Sequence, residues 1–423
     1  PPRSTLFPYT TLFRSSTLRE KLKRPFVHVV FGARQTGKST LIRSILPTDT
    51  VILNLSDPRE RSRFSARPGL FLDLCKALPR NPEGTAVFVD EAQTVPEIFD
   101  AVQTLYDEDK DRFRFVLCGS SARRLRSTGA NLLPGRSVRY ILHPLVDEEY
   151  VPRDLPVPGN RDRLLPLAPG DKPGAAPFPS RSLESRLVFG DLPGIALLPN
   201  DEDRKDILGA YVLAYLEEEI RRESYLRDWG AFLRFLHLAA AESGGILNAS
   251  ALSREAGISA PTIKSHYGLL EDMFLGFTVP AFSGSPRKSA LSTPRFYFFD
   301  TGVRNAAAGL PLSEELVNAD PGRLFEHWVA GQLYRKLSYV GDGSLSYFRT
   351  SDGAEIDFIL QRGDRLIPVE VKWTESPGNK DTRHIRRFLQ EHRNRCDRGY
   401  VVSRCPHVLE LNESVTAVPW WLI

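Results

Sequence analysis

The pattern of apolar and polar positions predicts alternating strands and helices in the first third of the chain. Short apolar runs rich in β-branched residues are separated by stretches with helical spacing. These runs predict strands at Phe26–Phe31, Val51–Leu55, Ala86–Val89 and Phe113–Cys118, with a helix at Thr40–Leu46 after the first. Strands that alternate with helices indicate an α/β fold with a parallel sheet and crossover helices.

Prolines and glycines interrupt this pattern between Val151 and Arg181. The eight prolines are Pro152, Pro156, Pro158, Pro166, Pro169, Pro173, Pro177 and Pro179. This composition indicates a linker or a surface insertion. Beyond it, Ile207–Arg222 and Phe232–Ala241 have the spacing of apolar helices.

The pattern from Ile246 to Phe282 resembles a winged helix-turn-helix. It predicts helices at Ala249–Ala256 and Pro261–Met273, a turn at Gly257–Ser259, and a wing strand at Phe274–Phe282. The second helix of such a motif often enters a DNA groove.

The charge of this segment also allows a role in packing or oligomerisation. The second helix carries Lys264 and His266 against Glu271 and Asp272, and a basic loop, Arg287-Lys288, follows it.

From Arg295 onward the pattern predicts a second α/β region. Its predicted strands are Phe296–Phe299, Leu345–Arg349, Ala354–Leu360, Ile367–Trp373 and Tyr400–Ser403, and its predicted helices are Arg323–Leu337 and Lys380–His392.

Composition narrows the class of protein. The chain has 423 residues, 41% of them hydrophobic, which is enough for two or three domains with cores. The net charge of +4 does not by itself indicate a nucleic-acid binder. The four cysteines contain no C-x-x-C pair, which argues against a zinc site or a disulfide framework. No apolar run reaches the roughly 18 residues of a membrane helix, so we expect a cytoplasmic protein with no membrane partner.

The first residues have a different character. Thr5–Ser15 read TLFPYTTLFRS, which looks like the conceptual translation of a sequencing-library adapter, and the only methionine is Met273. We therefore expect residues 1–15 to be an assembly artefact and exclude them from the fold prediction.

A phosphate-binding loop follows the first predicted strand. Residues 32–40 read GARQTGKST and match G-x-x-x-x-G-K-[ST] between a strand and a helix. The predicted ATP-binding residues are Gly32, Ala33, Arg34, Gln35, Thr36, Gly37, Lys38, Ser39 and Thr40. In such a loop the lysine binds the β- and γ-phosphates and the serine is a ligand of Mg²⁺.

Two carboxylates end the third predicted strand. In VFVDE, Asp90 is the predicted second magnesium ligand and Glu91 the residue that polarises the attacking water. Together with the loop, this pair predicts ATP hydrolysis as well as ATP binding.

A sensor and an arginine finger are expected downstream. Ser120 or Ser121, at the end of the fourth strand, is the candidate sensor of the γ-phosphate. The candidate fingers are Arg123, Arg124 and Arg136, and Arg136 follows Pro134-Gly135 in the better exposed setting. Solvated surface arginines are the alternative.

These motifs resemble a group of bacterial and archaeal AAA-type ATPases with a C-terminal restriction-endonuclease-like domain and no settled cellular role. The similar segments are GARQTGKST, VFVDEAQ, VLCGSSARRL, LLPGRSVRYILHPL, LESRLVFGDLPGI, FYFFDTGVRN, GRLFEHWVAGQL, GAEIDFIL and IPVEVKW. The resemblance implies a P-loop AAA-type ATPase domain, a helical and winged-helix middle, a nuclease-like α/β end, and a ring or transient homo-oligomer. The resulting divisions are 1–15, 16–150, 151–181, 182–294 and 295–423.

The C-terminal strands carry a pattern that resembles the PD-(D/E)xK arrangement of nucleases. Asp357 lies in one predicted strand, and Glu370 and Lys372 share one face of the next. Asp357 and Glu370 would then share Mg²⁺, Lys372 would act on the attacking water, and Glu326 from the preceding helix would join the site. The basic face that would bind a phosphate backbone consists of Lys380, Arg383, Arg386 and Arg387. A solvated sheet face is the alternative.

Three functions stay open at this point. The first is an ATPase whose nucleotide state controls a nuclease-like domain that acts on DNA or RNA. The second is an ATP-dependent switch or scaffold for a protein partner, in which the nuclease-like domain is silent. The third is a winged-helix DNA-binding regulator. The expected cofactors are ATP and Mg²⁺.

Overall fold

The structure is a computed structural model that describes residues 13–120, 133–150, 178–216, 228–283, 292–341, 343–350 and 352–423. The chain forms two compact units. Within the described residues, unit 1 comprises 13–120, 133–143 and 272–274, and unit 2 comprises the remainder. No helix in the described residues is long and apolar enough to span a bilayer.

Unit 1 is built on a parallel sheet. Its strands are β1 (Val27–Phe31), β2 (Val51–Asn54), β3 (Thr85–Asp90), β4 (Phe113–Gly119) and β5 (Ser137–Ile141). They pair in parallel in the order β2-β3-β4-β1-β5. The four predicted strands are confirmed to within one residue at each end. The pattern missed β5, since this edge strand is polar at several positions and only partly buried.

Helices connect these strands. They are α1 (Phe13–Leu22), α2 (Lys38–Ile45), α3 (Pro58–Ala66), α4 (Leu70–Ala77) and α5 (Glu97–Glu108). Local capping explains where α3 begins, because the Asp57 side chain accepts a hydrogen bond from the Arg59 backbone N–H and Pro58 occupies the first turn. All five residues of β1 are buried, so both faces of this strand are covered by the rest of the unit.

Unit 2 begins with a helical region and ends with a sheet. Its helices are α6 (Leu183–Phe189), α7 (Pro193–Ala196), α8 (Asp201–Ala210), α9 (Trp229–Ala241), α10 (Ala249–Ala256), α11 (Ala260–Asp272), α12 (Thr301–Ala307), α13 (Glu314–Ala319), α14 (Pro321–Val340) and α15 (Arg383–Glu391). A π-helical turn at Tyr211–Leu216 continues α8.

The strands of unit 2 form two sheets. They are β6 (Gly276–Val279), β7 (Arg295–Phe298), β8 (Ser344–Arg349), β9 (Glu355–Arg362), β10 (Arg365–Lys372), β11 (Gly399–Ser403), β12 (Leu409–Asn412) and β13 (Val415–Pro419). The larger sheet has the order β12-β13-β11-β10-β9-β8, and β6 pairs with β7.

The segment that resembles a winged helix-turn-helix has the expected local elements. Gly257, with a φ of 72°, adopts the left-handed conformation that ends α10, and α11 begins three residues later. The antiparallel pair β6 and β7 follows. DNA binding by this segment stays a prediction, and Arg287-Lys288 lies outside the described residues.

A buried polar network joins distant parts of unit 2 around Asp191. This carboxylate accepts hydrogen bonds from Arg186 Nε at 2.8 Å, Tyr150 Oη at 2.9 Å, Trp328 Nε1 at 3.0 Å and Arg335 at 3.2 Å. The partners come from three segments, namely α6, α14 and the residues around Tyr150, and Asp191 and Arg186 are both 1% exposed. The network therefore compensates buried charges that would otherwise be costly, and it fixes how these segments pack.

Candidate functional site

The loops that follow β1, β3 and β4 meet at one edge of the sheet in unit 1. The strand β4 lies between β3 and β1, and all three run in the same direction. Consequently the phosphate-loop motif, the carboxylates Asp90 and Glu91, and Ser120 lie at the carboxyl ends of neighbouring strands. Ligands of open α/β sheets bind at such an edge.

Gly32 lies where the loop leaves β1 and turns close to the backbone that follows β5. Its φ is 151°, and a Cβ atom here would lie 2.3 Å from the carbonyl oxygen of Leu142. Only glycine fits, because a side chain would collide with this backbone. Farther along the loop, the Thr36 hydroxyl donates to the Ala33 carbonyl at 2.9 Å.

Lys38 reaches back over the loop that precedes it. Its ammonium donates hydrogen bonds to the carbonyl oxygens of Gly32 at 2.8 Å and Ala33 at 2.9 Å. The first backbone N–H groups of α2 have no partner within the helix and carry its positive dipole end. A helix N-terminus with a lysine at this position is an arrangement that can bind anionic phosphate. Arg34 is partly buried, and Thr40 is exposed in the first turn.

Ser39 and Asp90 bring α2 and β3 together. The Ser39 hydroxyl donates to Asp90 Oδ1 at 2.8 Å, and Asp90 is 5% exposed. Burial raises the pKa of the Asp90 carboxyl, and the nearby Glu91 raises it further, whereas the Ser39 hydrogen bond lowers it. A hydroxyl and a carboxylate are the oxygen ligands that Mg²⁺ prefers.

Glu91 adopts a left-handed backbone conformation with a φ of 56°. Such strain at a non-glycine residue is often found at active sites. Its Oε2 accepts hydrogen bonds from Gln93 Nε2 at 2.6 Å and from the Ser120 hydroxyl at 3.3 Å. Gln93 Nε2 also donates to Ser120 Oγ at 3.0 Å. The predicted water-polarising residue and the predicted sensor thus share one hydrogen-bonded cluster.

Arg136 contacts a different part of unit 1. Its Nε donates to Asp107 Oδ1 on α5 at 2.6 Å, and its Nη1 donates to the Pro134 carbonyl oxygen at 3.3 Å. Its role as a finger stays a prediction. The alternative candidates Ser121, Arg123 and Arg124 lie outside the described residues.

Two residues beside Asp90 or Glu91 were not predicted from the sequence. Arg43 lies four residues after Ser39 on α2, and its guanidinium is 3.7 Å from Asp90 Oδ2. Helical periodicity would have placed Arg43 on the same face as Ser39. Gln93 follows the carboxylate pair by two residues, but only the fold reveals its contact with Ser120.

A second cluster of acidic residues lies in unit 2. The antiparallel register of β9 and β10 pairs Phe358 with Val369, so one step further Asp357 faces Glu370. Asp357 Oδ2 accepts from the Val371 backbone N–H at 2.8 Å, and Lys372 Nζ donates to Glu370 Oε1 at 2.6 Å. The structure therefore brings these three predicted residues together.

Glu326 on α14 completes this cluster. Burial and the Asp357 charge raise the pKa of Glu326 to about 7, and they raise that of Glu370 to about 8. The Glu326 Oε1 accepts hydrogen bonds from Tyr297 at 2.8 Å and from Arg295 at 3.0 Å. Arg295, which also bonds to Glu355, was not predicted from the sequence. Its position between two carboxylates depends on tertiary packing.

A nuclease site in unit 2 would need both a metal-binding capacity in this cluster and basic residues on the following helix. Among the described residues, no group of three or more His, Cys, Asp or Glu is arranged to hold a metal ion. On α15, Ile385, Phe388 and Leu389 are buried, so the basic residues point away from the core. Arg383 and Arg386 are exposed on α15, and Lys380 is exposed in the turn before it. Arg387 is paired with Asp352 and Glu391.

A strand, glycine loop and helix with a carboxylate pair on a nearby strand define a P-loop nucleotide-binding domain. Residues 24–151 match the family model described as an AAA domain. This region is thus a P-loop ATPase-like AAA domain, and the match indicates ATP binding and ATPase activity. Residues 180–314 and 321–423 match two domains of unknown function, DUF8612 and DUF4143.

Sequence similarity to other proteins extends over most of the chain. Two mycobacterial relatives, uncharacterized protein Rv2008c of Mycobacterium tuberculosis and uncharacterized protein Mb2031c of Mycobacterium bovis, are each 22% identical over 96% of this chain and 82% of their own length. A crystal structure of protein VC1899 from Vibrio cholerae is 14% identical, covers 89% of this chain and 88% of its own, and has a TM-score of 0.16.

Proposed function

We propose that the protein hydrolyses ATP in a Mg²⁺-dependent reaction at the carboxyl edge of the unit 1 sheet. The observation that carries this proposal is the hydrogen bond of 2.8 Å between Ser39 and Asp90, with Glu91 next to Asp90 in the chain. The hydroxyl and the carboxylate fit Mg²⁺, which when bound would neutralise charge on the phosphate oxygens.

The protein's own residues have separate roles in this proposal. Lys38 exchanges its hydrogen bonds to the loop carbonyls for bonds to the β- and γ-phosphate oxygens. Glu91 orients a water molecule toward the γ-phosphorus and accepts its proton. Ser120 donates a hydrogen bond to a γ-phosphate oxygen. The loop and the helix N-terminus supply fixed dipoles, so little reorganisation is needed during the reaction.

The test compares Lys38→Ala with Lys76→Ala. Lys76 pairs with Glu108 on the surface of unit 1, with both side chains 49% exposed, so its removal alters a solvated charge only. ATP binding and phosphate release are measured with Mg²⁺. We expect Lys38→Ala to lose both and Lys76→Ala to retain both. Phosphate release that does not depend on Lys38 would refute the proposal.

A second candidate activity, phosphodiester cleavage of DNA or RNA under the control of nucleotide state, is favoured by the acidic cluster of unit 2. Asp357, Glu370 and Lys372 lie on adjacent positions of β9 and β10, and Glu326 approaches from α14. Glu370 Oε2 is buried and has no hydrogen-bond partner among the described residues. An unpaired buried oxygen of this kind is a ready ligand for a divalent cation, which would supply Lewis-acid activation of the phosphate.

The position of Arg295 favours the alternative in which the nuclease-like region has no catalytic activity. Its guanidinium bonds Glu326 and Glu355 and so supplies a positive charge from the protein itself. In that case unit 2 would be a binding module for a protein partner or a second copy of the chain.

Matched variants separate these two functions. Asp357→Asn removes a charge from the cluster, and Asp364→Asn removes the same charge from an exposed position in the turn between β9 and β10. Labelled DNA and RNA are incubated with each protein, ATP, and Mg²⁺ or Mn²⁺. The nuclease proposal predicts cleavage that only Asp357→Asn abolishes. If the unaltered protein cleaves neither DNA nor RNA, the nuclease proposal fails and the role of unit 2 as a binding module is retained.

A further inference from the structure

Gln93 occupies a central position between the ends of β3 and β4. Its side chain is buried, with only 3% of the residue exposed. A Cβ atom at Gly119 would lie 2.6 Å from Gln93 Oε1, so the carboxamide fits closely against a glycine at the end of β4. The two amide N–H groups account for the two contacts made by Nε2, one to Glu91 and one to Ser120.

The Gln93 carboxamide costs stability at this buried position. Its Oε1 is buried without a hydrogen-bond partner among the described residues. An unsatisfied buried carbonyl costs free energy, which an apolar side chain of similar length would avoid. Packing alone therefore does not account for a carboxamide at this position, beside two candidate catalytic groups.

The hydrogen-bond inventory shows what Gln93 contributes. The Ser120 hydroxyl has one proton, which it donates to Glu91 Oε2 at 3.3 Å. If that proton were donated to a phosphate oxygen, Glu91 would lose this bond. The shorter bond of 2.6 Å from Gln93 would then hold the carboxylate in place.

We propose that Gln93 is a positioning residue for ATP hydrolysis, which holds the Glu91 carboxylate and the Ser120 hydroxyl in register with each other. This inference rests on the proposed ATPase function. It deepens that function, because it assigns the orientation of the water-activating group to a third residue, which contacts both Glu91 and Ser120. An activating carboxylate whose partner fixes its orientation follows the general logic of catalytic bases.

The test uses Gln93→Met, which keeps the length of the side chain and removes both donors. Gln103→Met makes the same chemical change on α5, where Gln103 bonds to Asp107 outside the site. The measurements are kcat, the Kd for ATP with Mg²⁺, and the Tm of the full chain. We expect Gln93→Met to lower kcat by about tenfold or more, with Kd and Tm unchanged, as for other residues that orient a catalytic group. Gln103→Met should match the unaltered protein.

A double-mutant cycle with Glu91→Gln shows whether Gln93 acts through Glu91. Single-turnover reactions followed over hours measure the residual rates. If Gln93 works by orienting Glu91, Gln93→Met causes no further loss in the Glu91→Gln background. A further loss of the full size, a kcat within twofold of the unaltered protein, or a Kd that rises as much as kcat falls would each overturn the inference. Failure of the ATPase proposal itself is recognised separately, by absent or Lys38-independent turnover in the unaltered protein.

Discussion

The hydroxyl of Ser39 donates a hydrogen bond to Asp90 Oδ1 across 2.8 Å, although the two residues are 51 positions apart in the chain. This contact connects the first turn of the helix after the phosphate loop to the end of a neighbouring strand. In the proposed function these two side chains are adjacent oxygen ligands of different charge. The proposed Mg²⁺-dependent chemistry therefore requires the loop motif and the distant carboxylate pair together.

Ser39→Ala should reduce ATP turnover by about tenfold or more, because one metal ligand is lost while the phosphate loop remains. Titration of the rate with Mg²⁺ should show a higher concentration for half-maximal activity. Ser44→Ala is the control, since the Ser44 hydroxyl bonds to the Leu41 carbonyl on the same helix. Equal Mg²⁺ dependence in both variants would argue against Ser39 as a ligand.

Gly32→Ala should destabilise the loop, since its Cβ would lie 2.3 Å from the Leu142 carbonyl oxygen and its φ is 151°. We expect ATP binding to weaken even though no contact to phosphate is removed. In Gly69→Ala the added methyl meets no atom within 4 Å, so this variant should bind ATP normally. Isothermal titration with ATP and Mg²⁺ distinguishes the two, and normal binding by Gly32→Ala would be contrary to the model of the loop.

Asp191→Asn should destabilise unit 2 by about 3–5 kcal/mol, since Arg186 and Arg335 would lose a buried counter-charge. The five tryptophans, at positions 229, 328, 373, 420 and 421, all belong to unit 2, so fluorescence during denaturation of the full chain reports on this unit. Glu391→Gln breaks an exposed ion pair with Arg387 and should change stability by less than about 1 kcal/mol. Similar denaturation midpoints for both variants would contradict a central role of the network.

His327 should make unit 2 less stable in acid. Its Nε2 lies 2.8 Å from the Phe298 carbonyl oxygen, and burial is the main cause that lowers its pKa from 6.5 to about 3. Below pH 6.5 the unfolded chain binds a proton that the folded chain does not. The folded chain therefore keeps the full stability associated with neutral His327 above pH 6.5. As the pH falls from 6.5 toward 3, the free energy of unfolding decreases by about 1.4 kcal/mol per pH unit.

His327→Gln retains a donor for the carbonyl and removes the titration. The difference in the free energy of unfolding between the unaltered protein and His327→Gln is measured by tryptophan fluorescence at several pH values. Between pH 6.5 and 4.5, the free energy of unfolding of the unaltered protein should fall relative to that of His327→Gln. A difference that is constant with pH would show that His327 titrates normally in the folded chain.

Local sequence patterns predicted those structural features that depend on residues close together in the chain. The run at Val27–Phe31 is continuous and β-branched, and the loop motif has fixed positions, so the strand, loop and helix were predictable. Gln93, Arg43 and Arg295 were missed because their roles depend on contacts with residues far along the chain. The network around Asp191 was missed for the same reason, since an isolated aspartate in a loop has no pattern that indicates burial.

The measurement that tests the central claim most directly separates ATP binding from ATP hydrolysis in Glu91→Gln. The substitution preserves the shape of the side chain and removes its ability to accept a proton at neutral pH. We predict that the unaltered protein releases phosphate with Mg²⁺, and that Glu91→Gln binds ATP with the same Kd but turns it over at least about 100-fold more slowly. Equal turnover by the two proteins, or no turnover by the unaltered protein, would contradict the assignment of this edge of the sheet as an ATPase site.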